Sequence, residues 1–328
     1  MPLTSPADRH AAAQLFPGVS RIVLGILDEI VFPGEEILGV ENATGMRVLV
    51  ENWTEEDRFL NINTRWVPGT KIDTVRFSKD FQEFQLRFGA IQAEETEAFL
   101  ELSTGDGLTV APITRQRYAA FGATFLRRFE EVERADLLTT TANWGTNFTD
   151  LTAAPWGGAG DILADVDSEA ITIRQNVGVG KRSLRLYLPP LVWDQAKFDA
   201  GFVAYRKSGG KMESPGLGTL QEMTEYLGIN RAWSDDTGIQ VIESRGGARE
   251  PVWKRDAILY AASDLVPSAA EWGVPRLGFV QRNKGPGAAR AYFLDERRVW
   301  RFPWLGRERA FLVTPGAGHL FKNAVPAV

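Results

Sequence analysis

From Leu184 to Trp233 the spacing of apolar residues switches from strand to helix and back, with a stop signal at each change. Leu184-Arg185-Leu186-Tyr187-Leu188 alternates and favours a strand. Pro189-Pro190 ends it, and a proline at the first helical position costs nothing because that N–H has no intrahelical partner. Leu191, Phe198, Phe202 and Tyr205 then follow a helical period. Lys207 to Gly218 is a glycine-rich loop. Thr219-Leu220-Gln221-Glu222 is a capping box, Leu220, Met223 and Leu227 form the buried stripe of the helix it opens, and Gly228 stands where a left-handed C-terminal residue belongs.

The same reading extends along the chain. Residues 1–45 have the pattern of an arm, broken by Pro2, Pro6, Pro17 and Pro33, with apolar groups too short to build a core alone. Residues 46–77 predict an extended hairpin: Met46, Val48 and Val50 alternate with Arg47, Leu49 and Glu51, Leu60, Ile62 and Trp66 alternate with Asn61, Asn63 and Arg65, Pro68-Gly69 marks a turn, and Lys71 to Phe77 can return as a strand. Between Phe77 and Leu102, Phe77, Phe81, Phe84 and Phe88 fit a helix while Phe84, Leu86 and Phe88 fit a strand, and both stay open; Ala93 to Leu100 looks helical. Pro112 to Leu138 gives the strongest helical signal, about 40 Å of it. Phe121, Phe125, Phe129 and Val132 line one face, and the pairs Arg127/Glu131 and Glu130/Arg134 are expected on the solvated side. Asp161 is placed to cap a further helix whose buried face carries Ile162, Val166, Ala170 and Ile173. Strand-like segments follow at 239–243, 252–261, 276–281, 291–294, 298–302 and 310–314. Helices and strands in separate blocks argue for an α+β fold.

Composition narrows the chemistry. A chain of 328 residues is long for one core and predicts two lobes. Cysteine is absent, which removes disulfides, thiolate nucleophiles and sulfur-ligated metals. The two histidines, His10 and His319, lie at opposite ends, the first on the arm and the second expected in a turn. Neither a leader nor an 18-residue apolar run is visible, so no membrane partner is expected. The net charge of −5 gives no global attraction for nucleic acid. Gly178 to Ser183 resembles a phosphate loop but has Gln175 and Arg182 where the pattern needs Gly and Ser or Thr; a turn entering a strand fits better. Glu94, Glu95 and Glu97, like Asp235-Asp236, read as adjacent surface acids. The 10 tryptophans are scattered through every block, which favours core and interface anchors over a carbohydrate platform.

Four segments, in order, resemble the tailed-bacteriophage major capsid proteins of the Hong Kong phage fold, including the lambda-like capsid proteins. They are Trp156 to Ile171 with Asp161-Ile162 opening a helix, Leu188-Pro189-Pro190-Leu191-Val192-Trp193, Thr219 to Ile229, and Pro251-Val252-Trp253 with Phe311 to Ala324. The resemblance covers residues 20–328. It implies an N-terminal arm at 1–45, an extended loop at 46–77, a peripheral domain at 78–183 with a spine helix at 112–138, an axial domain at 184–290, and return strands at 291–328. The implied function is a head protein, not an enzyme. It needs no cofactor and assembles with itself into hexamers and pentamers around double-stranded DNA, with scaffold, portal and decoration proteins as further partners, in a virion built in the host cytoplasm. Contacts between subunits are expected at Trp53, Phe59, Trp66, Pro68, Gly69, Lys71, Gly209, Gly210 and Lys211. Lys71 and Asn323 are the positions a Lys–Asn cross-link would use, but no matching acid is visible. A cellular encapsulin-type shell, and a Trp-rich glycan-binding or glycan-active protein, are the alternatives.

Overall fold

The computed structural model describes residues 32–42, 47–53, 79–96, 110–209, 218–235, 240–241, 250–262, 276–288 and 292–326. In chain order its elements begin with α1 (Pro33–Leu38), β1 (Val40–Asn42), β2 (Arg47–Trp53), β3 (Lys79–Gln85), β4 (Arg87–Thr96), α2 (Val110–Thr139), β5 (Phe148–Asp150) and α3 (Ile162–Val177). There follow β6 (Leu184–Tyr187), α4 (Pro190–Ala196), α5 (Ala200–Ser208), α6 (Leu220–Leu227), β7 (Arg231–Trp233), β8 (Gln240–Val241) and β9 (Glu250–Pro251). The last are β10 (Ala257–Ala261), β11 (Gly278–Ala288), β12 (Tyr292–Leu294), β13 (Val299–Leu312) and β14 (Gly318–Lys322). The fold class is α+β, as the block pattern predicts.

Helix ends follow side-chain chemistry. Asp161 Oδ1 accepts from the N–H groups of Leu163 and Ala164 at 3.0 and 3.1 Å, and Gly178 closes α3 at φ 75°. The inner face of α3 is the expected one, with Ile162, Val166, Ala170 and Ile173 buried. Thr219 Oγ1 accepts from Glu222 N–H at 3.2 Å, Glu222 Oε2 accepts from Thr219 N–H at 3.1 Å, and Gly228 ends α6 at φ 63°. Lys181–Ser183 is a single 3-10 turn leading into β6 rather than a phosphate loop.

Several expectations are corrected. The helix expected through Leu191, Phe198, Phe202 and Tyr205 is two helices. Asp199 Oδ1 accepts from Phe202 N–H at 3.0 Å and restarts the chain as α5, which buries Phe202 and leaves Leu191 and Phe198 exposed. Strand wins over helix for 79–96: β3 pairs antiparallel with β2, and β4 forms ten register pairs with β13 from Val299↔Thr96 to Glu308↔Arg87. The helix expected from Ala93 is therefore absent as far as Thr96, because the sheet edge offers that backbone its hydrogen bonds. The two segments expected at 298–302 and 310–314 belong to one 14-residue strand, β13. His319 lies in β14 rather than in a turn, buried between Thr149 Oγ1 and Glu169 Oε2, each 2.9 Å from a ring nitrogen.

Two five-stranded sheets carry the chain. In the first, β13 pairs with β4 along one edge and with β11 and β12 along the other, and β1 adds parallel to β11. Helix α2 lies across β13 and β4. Gly306 permits this approach, because a Cβ there would sit 2.6 Å from Glu130 Oε1 and 3.0 Å from Leu126 Cδ2. The second sheet runs β5-β14-β10-β6-β7, with β10 at its centre and buried on both faces. Helices α3 and α6 cover it with the aromatic residues Trp144, Trp156, Tyr187, Trp233 and Trp253. Sheet membership cuts across blocks 78–183, 184–290 and 291–328: β5 and β14 both join strands of the middle block. One apolar core runs from Phe32, Ile37 and Val280 beside the first sheet to Leu186 and Ile258 in the second.

Candidate functional site

Helix α2 has two unlike faces; of the expected inner face Val132 packs on the core, but Phe125 and Phe129 have changed places with the charged residues. Phe125 and Phe129 are 48% and 57% exposed. Glu130, Glu131 and Arg134, expected in solvent, are 4%, 0% and 1% exposed and face inward beside Leu126, Ala135 and Leu138. The physical reason is that partners arrive from other elements. Glu35 comes from α1, Arg282 from β11 and Glu308 from β13, so the charged stripe is neutralised where it is buried.

The cluster is dense. Arg134 contacts Glu35 at 3.1 Å, Glu130 at 3.5 Å and Glu131 at 3.0 Å, and it pairs closely with Glu308. Arg282 reaches Glu35 at 2.6 Å and Glu308 at 2.8 Å. Arg127 pairs with Glu35, lies 3.7 Å from Glu130 and 3.9 Å from Glu308, and sits 5.8 Å from the Phe32 ring centroid. Glu131 Oε1 accepts from the Gly34 N–H at 2.8 Å and from Trp253 Nε1–H at 3.0 Å. Gly34 has to be glycine: a Cβ there would fall 2.7 Å from the Arg134 Cβ.

The electrostatics follow burial first. Burial pushes Glu130 up to about 8, the Glu308 charge adds to it, and the arginines offset only part. Burial pushes Glu131 up to about 7 against the pull of Arg134 and its hydrogen bonds. Burial would raise Glu35 as well, but Arg134, Arg127 and Arg282 outweigh it and hold that carboxyl below its ordinary range. Burial disfavours the charge on Arg134, yet Glu308, Glu35, Glu131 and Glu130 overcome this and bind its proton more tightly than usual.

Helix α1 also reaches the second sheet. Glu36 lies 3.5 Å from both Arg185 and Arg231, which are register partners on β6 and β7. A six-residue helix thus joins both sheets to α2. Sequence reasoning missed this junction. The one available signal was the i,i+3 and i,i+4 spacing of Arg127, Glu130, Glu131 and Arg134, which says that the charges share a face but not which way it points.

Among the expected contact residues, Trp53 ends β2 in register with Lys79, and Gly209 is the exposed C-cap of α5. Phe59, Trp66, Pro68, Gly69, Lys71, Gly210 and Lys211 lie outside the described residues. The strand expected around Leu60 to Trp66 and the return strand expected at Lys71 to Phe77 also lie outside them; the described partner of β2 is β3. Of the residues expected as surface acids, Glu94 is exposed and takes a 2.6 Å hydrogen bond from Arg301. Asp235 is instead buried and accepts from the Tyr187 hydroxyl at 2.7 Å, while Asp236 lies outside the described residues. Burial and then the Asp235 charge hold the Tyr187 hydroxyl well above its ordinary range. Asn323 is half-buried at φ 52° and donates to Asp150 Oδ1 and Thr152 Oγ1, both at 3.1 Å. Among the described residues no group of three or more His, Asp or Glu is placed to hold a metal ion, and no helix is long and apolar enough to cross a membrane.

No family model and no curated protein matches the chain. Solved structures do. A phage-related protein from Bordetella bronchiseptica superposes with a TM-score of 0.67 at 17% identity, over 95% of this chain and 98% of that one. The capsid of cyanophage P-SCSP1u gives 0.58 at 10% identity, over 91% and 89%. A virus-like particle from Pyrococcus furiosus gives 0.54 at 12% identity, over 94% and 99%. The chain therefore has the fold shared by this phage-related protein, the cyanophage capsid and the virus-like particle, over at least nine-tenths of its length.

Proposed function

We propose that this chain is the shell-forming subunit of a phage-type capsid, a structural protein rather than an enzyme. The observation that carries the proposal is the end-to-end likeness to a phage capsid, a virus-like particle and a phage-related protein, with at least nine-tenths of the chain matched in each of the three. The chain's surface agrees with it. Phe125 and Phe129 form an exposed apolar pair on a long helix, the kind of surface that a neighbouring molecule covers.

In this reading copies of the chain close into hexamers and pentamers around double-stranded DNA, and scaffold, portal and decoration proteins complete the particle. Assembly takes place in the host cytoplasm, and the product is a virion. Residues 1–45 serve as the arm and 46–77 as the extended loop, with α2 as the spine helix of the peripheral lobe. The axial lobe is the second sheet with α3 to α6, which enlarges the block 184–290 by β5, α3 and β14. Trp53, Gly209 and the other expected contact residues lie between subunits. Many modest interfaces per copy, rather than one strong one, hold such a shell.

Removal of Asn61 to Val75 tests the reading. The shortened chain is expected to stay folded by circular dichroism and to elute as a small species, while the full chain forms particles in negative stain. Normal shells from the deletion would remove the extended loop from the account.

A further inference from the structure

Glu131 is where three parts of the molecule meet. Its Oε1 accepts from the Gly34 N–H of α1 and from Trp253 beside the second sheet, and its Oε2 lies 3.0 Å from Arg134. Glu130, one residue earlier, is nearly as buried and faces β13 at Gly306. We infer that Glu130 and Glu131 form a proton-operated latch that clasps α1, the segment joining both sheets, onto helix α2.

The geometry supplies the argument. Glu130 faces Arg127 and Arg134 on its own helix, Arg282 on β11 and Glu308 on β13, Glu131 faces Arg134, and Glu35 on α1 joins the cluster through Arg127, Arg134 and Arg282. Glu133 on the same helix is engaged elsewhere, with Arg87 of β4 at 3.1 Å. Glu36 on α1 is held by Arg185 and Arg231. Tyr187 is the titratable group that Glu131 influences from the second sheet, and its hydroxyl is bound to Asp235. The cluster holds four carboxylates, Glu35, Glu130, Glu131 and Glu308, against three guanidiniums, Arg127, Arg134 and Arg282. One carboxylate is in excess. The cluster carries one positive charge when Glu130 and Glu131 both hold protons, is neutral with one proton on it, and carries an unmatched buried negative charge when neither does.

In this latch, lifting α1 takes Gly34 from Glu131 and takes Glu35 from Arg127 and Arg134, the arginines that Glu130 shares, and lets water reach the pair. Both carboxyls then fall back toward 4.5 from about 7 for Glu131 and about 8 for Glu130. Opening therefore releases protons. Because the closed-state values are raised, the latch is at full strength below 4.5, and its contribution is lost as pH rises through about 7 and about 8. Each released proton raises the open-to-closed ratio about tenfold per pH unit within its window.

Hydrogen exchange of the peptide covering Pro33–Gly39 in the full-length chain tests this, with rates divided by those of the unstructured peptide at the same pH. Protection in the wild type is expected to fall at least about tenfold per pH unit between roughly pH 5 and pH 7. The fall should continue more gently to about pH 8 and then level off. The double variant Glu130→Gln with Glu131→Gln keeps the shape and one acceptor oxygen at each position, puts an amide NH2 in place of the other oxygen, and has no proton to lose; its protection is expected to change less than about threefold over the whole range. Glu130→Gln alone should level off near pH 7, which keeps the test decisive if the double variant folds poorly. A flat wild-type profile, or an undiminished slope in a folded variant, overturns the latch. Neither outcome depends on whether the chain builds a shell.

Discussion

Replacing Arg134 by alanine is expected to lower the unfolding free energy by about 3–5 kcal/mol, the cost of leaving buried charges without their partner. Arg134 is 1% exposed and is the one arginine of the cluster in contact with all four of its glutamates. Its loss leaves two guanidiniums against four carboxylates, and β11, β13, α1 and α2 all feel the imbalance. Arg134→Lys keeps the charge but cannot fork between carboxylates, so it should fall between wild type and alanine. Urea denaturation followed by tryptophan fluorescence measures the difference. A loss below about 1 kcal/mol would mean that the cluster is solvated rather than buried.

Trp156→Ala is expected to cost a similar amount, about 3–5 kcal/mol, by a different mechanism. The side chain is fully buried, its ring centroid lies 5.0 Å from that of Phe321, and its indole N–H donates to Asp165 at 2.8 Å. Its backbone N–H donates to Ala324 O at 2.8 Å. One residue thus joins the loop before α3, the helix itself and the chain after β14. Alanine opens a cavity among these and leaves Asp165, already shifted upward by burial, without its donor. The same denaturation experiment reads the effect, and Trp156→Phe, which keeps most of the volume, should lose less.

What could be read from the residues depended on how local the cause was. Asp161, the Thr219–Glu222 box, Gly178 and Gly228 act within four residues of themselves, and the elements they bound lie where the sequence places them. The alternation in 184–188 worked for the same reason. Helix α2 was legible as a helix but not in its orientation. Four phenylalanine and valine positions form a plausible inner face, and nothing nearby in sequence reveals that Glu35, Arg282 and Glu308, each at least 92 residues from Arg127, come to meet the charges instead. Long-range pairing also decided 79–96, where helical and strand periods fit equally well until β13 supplied an edge. The break at Asp199 was missed because its capping contact competes with a helical apolar spacing that runs straight past it. Of the expected contact residues, only the backbone placement of Trp53 and the cap at Gly209 lie within the described residues.

The most direct test of the account is the assembly state of the full chain, produced alone and together with a scaffold protein, followed by sedimentation and cryo-electron microscopy. The account predicts closed particles whose walls show clusters of five and six copies, with density into which the two sheets and helix α2 fit. A stable small species that never closes into particles under either condition would contradict it, and would favour a glycan-binding role for the tryptophans.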